Sequence, residues 1–146
     1  MPLNNQQLTP HWEHFEHDAD IGIRGIAPTL AQAFEQAAVA MTAVMTNPEP
    51  LTESNAVVIT CNAPDNELLL VDWINELIYQ TAVHHLLFKR YQVEIADRKL
   101  SAIAFGETVD RQKHQIAVEI KGAAFTELHV YQQPDGMWVA QCVVDV

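Results

Sequence analysis

Residues 127–146 read ELHVYQQPDGMWVAQCVVDV. Pro134-Asp135-Gly136 marks a turn between two runs of strand character, 127–133 and 137–145, the pattern of a hairpin. The second run stays apolar through Trp138-Val-Ala-Gln-Cys-Val-Val and closes on Asp145 and Val146. Terminal residues that fray are usually polar and loosely held, so an apolar ending predicts a strand held by a sheet. That strand carries two adjacent anionic groups at its end, the Asp145 side chain and the Val146 α-carboxylate.

The rest of the chain supplies what packs on such a sheet. Thr29-Leu-Ala-Gln32 has the form of a capping box. Leu30, Ala33, Phe34, Ala37, Met41, Val44 and Met45 then recur at helical spacing, and Asn47-Pro48-Glu49-Pro50 stops the helix. Val57, Ile59 and Cys61 alternate as in a strand. Pro64-Asp65-Asn66 opens a second helix with Asp65 as its cap. Its apolar face carries Leu70, Val71, Ile74, Leu77 and Ile78, and its opposite face Asp72, Asn75, Glu76 and Tyr79. Beyond about His85 the period becomes two: Tyr91, Val93, Ile95; Leu100, Ala102, Ala104; Ile116, Val118, Ile120. With two strands ahead of the first helix, the order predicts an α+β fold. It is a single domain over 1–146, with two helices packed on a mainly antiparallel β-sheet.

Composition narrows the function. At 146 residues and 49% hydrophobic content the chain suits one domain with a proper core. No apolar run reaches the roughly 20 residues of a membrane span. The start, MPLNNQQLTPHW, has neither a basic segment nor an apolar core of a secretory signal. Cys61 and Cys142 sit in unrelated apolar stretches and read as buried free thiols of a reducing compartment, so the expectation is cytoplasmic. A formal charge of −11 without any basic stripe disfavours direct RNA or DNA binding. It suits a cation or a basic protein partner instead.

Residues 13–25, EHFEHDADIGIRG, crowd ionisable side chains just ahead of the alternating Ile21 and Ile23. A surface turn and a metal site both account for them. On a strand His14 faces away from His11 and His17, and no Cys-x-x-Cys is present to complete a zinc set. Asp18 and Asp20 share parity, so within a strand they project to one side. If the first and last strands are neighbours, Asp20, Asp145 and the Val146 carboxylate converge on an all-oxygen site. Such ligands suit Ca²⁺ or Mg²⁺, with Mn²⁺ a third choice. Solvated strand ends are the plain alternative, and spacing alone leaves both open. No phosphate-binding loop, dinucleotide fingerprint or nucleophile elbow is present.

Five segments in order resemble the archease family along nearly the whole chain. They are His17-Asp-Ala-Asp20-Ile-Gly22-Ile; Thr29-Leu-Ala-Gln-Ala-Phe-Glu-Gln-Ala-Ala38; Leu69-Leu-Val-Asp72-Trp73-Ile-Asn75-Glu76-Leu-Ile-Tyr79; Phe105-Gly106-Glu107 with Asp110, His114 and then Lys121; and Trp138-Val-Ala…Val-Val-Asp145-Val146. The resemblance implies an accessory protein rather than an enzyme. Archeases assist the RtcB-type RNA ligase of tRNA splicing and RNA repair, promoting its guanylylation and repeated turnover. Carried across position by position, the family's metal site falls on Asp20, Asp145 and Val146, with Ca²⁺ the expected ion, and Gly22 is expected to permit close backbone approach.

His17, Asp18, Asp72, Glu107, Asp110, His114 and Lys121 are expected in a supporting shell around the metal or in contact with the partner. Two departures stand out. Asp18 replaces the family's Thr, and Ala124-Phe125-Thr126 stands where the family tends to show Thr-Tyr-His. Two readings from other classes compete: a metal-dependent hydrolase with His17 or His114 as base, and a chaperone-like binding module with a structural cation.

Overall fold

The computed structural model describes residues 9–110 and 113–146. The chain runs β1 (His11–His17), β2 (Asp20–Ala27), α1 (Leu30–Met45), β3 (Asn55–Asn62), α2 (Asn66–His84), β4 (Leu86–Ala96), β5 (Lys99–Thr108), β6 (Gly122–Ala123), β7 (His129–Gln132) and β8 (Trp138–Asp145). The expected α+β class and the two helices are there. The single sheet is not: the strands form two sheets, β1-β2-β8-β6 with β7 also on β8, and β3-β5-β4. Every pairing is antiparallel.

The reason for two sheets is α1. Nine of its residues are buried, Ala33, Phe34, Ala37, Ala38, Ala40, Met41, Thr42, Val44 and Met45. They leave it apolar around more than one stripe, as in a helix covered on more than one side. It packs on β2 and β8 of one sheet and on β4 of the other. Its fit on β2 depends on Gly25, where an added Cβ would run into the backbone at Ala33 and Ala37. The Thr42 hydroxyl meets the Tyr91 hydroxyl of β4 at 2.9 Å. Trp73 of α2 is fully buried, and its ring N–H donates to the Phe34 carbonyl at 3.1 Å, tying the two helices together.

Both helix starts follow the sequence. The Asp65 carboxylate accepts from the Leu68 amide at 2.8 Å and the Thr29 hydroxyl from the Gln32 amide at 3.2 Å. The box at Thr29 closes differently from the pattern, because the Gln32 side chain accepts from the Thr29 hydroxyl at 3.1 Å. Helix α2 ends at His85, which takes a left-handed φ of 56°. The expected strand over Ile116–Ile120 forms no ladder. That segment is held by separate bonds, Ala117 N to the Met45 carbonyl and Lys121 N to the Asp145 carbonyl, each 2.8 Å. Its alternation reflects packing on one side over its second half: Val118 is half-buried and Ile120 buried, while Ala117 and Glu119 are exposed. No helix among the described residues is long and apolar enough to cross a membrane.

Candidate functional site

Strands β2 and β8 are direct neighbours, with Ile21 opposite Val144. One step further along the same ladder bring Asp20 and Asp145 to one end of the sheet. The Val146 amide donates to the Asp20 carboxylate at 3.3 Å, so the end of β8 lies against Asp20. On the β1 side His17 stands opposite Asp20. On the far side Gly122 of β6 stands opposite Asp145. His17, Asp20, Asp145 and Gly122 thus form a row across four strands. Residues opposite one another share a face, so His17 and Asp20 lie on the same face of the sheet. Asp20 is half-buried and Asp145 exposed.

The preceding residues resolve the question of the crowded 13–25 stretch. Strand β1 ends at His17 and β2 begins at Asp20, so Asp18 and Ala19 are the two-residue loop of a hairpin. Asp18 has φ 53°, a conformation that Asp tolerates better than most residues. The expectation that Asp18 shares strand parity with Asp20 is therefore overturned. Its side chain is 93% exposed, and its nearest ionic neighbour is the His17 ring at 3.9 Å. Gly22 also plays a different part. The space of its missing Cβ is taken by the Phe15 ring, which lies across from it in the ladder. An aromatic ring, not a backbone, makes the close approach. His11 and His14 turn to the Thr9 and Ala40 carbonyls, so no histidine cluster forms.

The polar face of α2 flanks this corner. Asn75 accepts from the Ala123 amide at 2.9 Å, which places α2 against the outer edge of β6. Asp72 lies one turn before Asn75 and is exposed. Burial, helped by the charges of Asp72 and Glu76, pushes the Cys61 thiol up to about 11. Burial alone pushes the Cys142 thiol up to about 12. Neither is a thiolate at neutral pH, and both cysteines are free. Lys121 gives its backbone amide to Asp145, while its ammonium is exposed and forms no ion pair among the described residues.

Glu107, near the end of β5 in the other sheet, forms a separate knot with Asp110 and His114 of the segment that follows. Glu107 accepts from the Lys113 ammonium and from His114 Nε2, each at 2.6 Å, and from the Thr52 amide. His114 Nδ1 accepts from the Asp110 amide at 2.7 Å. With Nδ1 accepting, the ring proton sits on Nε2 and points at Glu107. Glu107 and His114 are 5% and 7% exposed. Burial closes both to a partner surface, and His114 has no nitrogen left to act as a base. The Lys113 hydrogen bond, then that of Thr52, holds the Glu107 carboxyl well below the usual carboxylate range.

Residues 12–146 match the family described as the Archease protein family (MTH1598/TM1083). The chain belongs to the archease family. It is 35% identical to Protein archease of Pyrococcus abyssi over 92% of this chain and 98% of that one. It is 36% identical, with the same coverage, to Protein archease of Pyrococcus furiosus. Its fold superposes on the solution structure of Methanobacterium thermoautotrophicum protein 1598 with a TM-score of 0.81 and 28% identity, over 92% of this chain and 98% of the other.

In this archease chain no three His, Cys, Asp or Glu side chains among the described residues come together as a metal-holding group. The groups that would hold a cation at the Asp20 corner are the Asp20 and Asp145 side-chain carboxylates and the Val146 carboxylate. That set is all oxygen and anionic, so it fits a hard cation that keeps part of its hydration shell. It does not fit zinc. Sequence reasoning missed one feature beside it, the interruption between β6 and β7. The signal was present in Gly122-Ala-Ala-Phe-Thr-Glu-Leu128, which has neither strand alternation nor a strong turn pair.

Proposed function

We propose that this archease-family chain is an accessory protein of an RtcB-type RNA ligase, promoting the ligase's guanylylation and repeated turnover in tRNA splicing or RNA repair. It has no ligase, nucleotidyltransferase or nuclease activity of its own. A divalent cation, Ca²⁺ first and Mg²⁺ or Mn²⁺ as alternatives, is held by Asp20, Asp145 and the Val146 α-carboxylate. The observation that carries the reading is the meeting of Asp20 with Val146 at the paired ends of β2 and β8, in a chain of this family.

When bound, the cation supplies positive charge that can offset phosphate oxygens. Asp20 and Asp145 provide the negative charge that sets its affinity, and the Asp20–Val146 hydrogen bond fixes the spacing of the two strand ends. The −11 charge supports a protein partner over direct contact with RNA. The test is transfer of guanylate to a purified RtcB-type ligase, with and without this protein. The expected result is faster guanylylation and more turnovers, with no nucleotidyl transfer by the isolated protein. Unchanged ligase kinetics would contradict the reading. Cleavage of simple phosphoesters by the isolated chain would favour a hydrolase.

A further inference from the structure

Strands β6 and β7 lie on the same edge of β8, but the chain between them does not follow that edge. Ala123 is opposite Val144 and His129 is opposite Gln141, so residues 124–128 face only Cys142 and Val143. Val143 is bonded from both sides of the excursion: its carbonyl accepts from Ala124 N at 2.8 Å and its amide donates to Thr126 O at 3.2 Å. Phe125, caught between those two bonds, is squeezed out of the edge and is 68% exposed.

The excursion is a held structure. Leu128 N returns to the Phe125 carbonyl at 3.3 Å. Gln141 of β8 donates to the Glu127 carbonyl at 3.1 Å, and Leu128 packs against the core. Glu127 takes φ 52°, a left-handed conformation that costs a residue with a Cβ roughly 1–2 kcal/mol. Interruptions of this kind re-aim a side chain, and a strained backbone held by its surroundings points to a use for it. What is aimed here is a phenyl ring on a pinned support, with little ordering cost left on binding.

The surroundings define the occupant. Phe125 sits beside Val143, two residues along β8 from Asp145, about 7 Å at strand spacing. Asp145 and Val146 end the same strand, Glu127 belongs to the excursion and meets the His129 ring at 3.8 Å, and Lys121 and His129 are the bases nearest in sequence. A second copy of a chain with −11 charge is repelled from such a surface. A protein face with an apolar recess bordered by Lys and Arg is complementary to it. Resting on the function proposed above, we infer that Phe125 is the apolar anchor by which this chain docks on the ligase, entering a recess with a basic rim while the acidic strand ends contact that rim.

The test is affinity for an immobilised RtcB-type ligase with Ca²⁺ present. The forms compared are the wild-type chain, Phe125→Ala, Phe125→Asp, Phe125→Trp and, as an exposed aromatic further along the same edge, Tyr131→Ala. Phe125→Ala and Phe125→Asp are expected to weaken binding by roughly 10-fold or more, the loss typical of a buried aromatic anchor. Phe125→Trp and Tyr131→Ala stay near wild type. Melting temperature and Ca²⁺ affinity remain unchanged in all, since Phe125 is mostly exposed and ligates nothing. Wild-type binding that survives Phe125→Ala and Phe125→Asp at full strength overturns the inference and leaves the proposed function standing. A wild-type chain that does not bind the ligase overturns both.

Discussion

Asp18 and Asp20 are two residues apart and do unlike things. Asp20 is in the ladder and accepts from Val146; Asp18 is the turn. The expected outcome is that Asp18→Asn leaves Ca²⁺ affinity within about twofold of wild type, whereas Asp20→Asn lowers it about 10-fold or more, since ligand charge tunes such sites. Calorimetric titration of both variants checks this. The distinction was not legible beforehand, because parity arguments hold only inside a strand and nothing in His17-Asp-Ala-Asp20 says where the strand breaks. Gly25 makes a second residue-scale prediction. Gly25→Ala forces a Cβ into the α1 backbone at Ala33 and Ala37, and backbone yields less easily than a side-chain tip. A loss of about 2–3 kcal/mol, at the upper end for overpacking, is expected in urea unfolding; a loss below 0.5 kcal/mol would contradict the close approach.

At the scale of elements, the helices were readable because caps and 3.6-residue periods are local. Sheet partition was not, because which strands share a sheet depends on what α1 covers on its two sides. The segment 116–120 shows the limit in small: its period of two was real, yet it records burial on one side and not pairing. The Glu107 knot joins elements that sequence reading kept apart, the loop at Thr52, the end of β5 and the segment at Lys113 and His114. Glu107→Ala leaves the buried His114 Nε2–H unpaired and is expected to destabilise by roughly 1–3 kcal/mol. The carboxyl is held below its unfolded range, so its contribution is present above an unfolded value near 4.3 and is lost as pH falls below that value. The stability difference between wild type and Glu107→Gln is therefore expected to shrink as urea unfolding is repeated from about pH 6 down to about pH 3. A difference that stays constant or grows on acidification contradicts the charge-assisted knot.

For the whole molecule, the class, the helices and the convergence of Asp20 with the end of β8 were legible because an apolar run to Asp145 and Val146 has few ways to be satisfied except inside a sheet. What lay beyond reach was the company that corner keeps. Asn75 across the edge and the excursion that extrudes Phe125 both follow from tertiary neighbours. With −11 charge, association with the ligase is expected to weaken as salt is raised from about 50 mM to about 500 mM, as screening of steering charges requires. Salt-independent affinity in a binding assay would count against an acidic docking face. The central claim is that the paired ends of β2 and β8 hold a divalent cation. The direct measurement is calorimetric titration of Ca²⁺ into chelator-stripped wild type, Asp20→Asn, Asp145→Asn and a form extended beyond Val146, which converts its carboxylate to an amide. The account predicts one site in the wild type and an affinity about 10-fold or more lower in each of the other three. Equal affinity in all four, or no binding by the wild type, contradicts it.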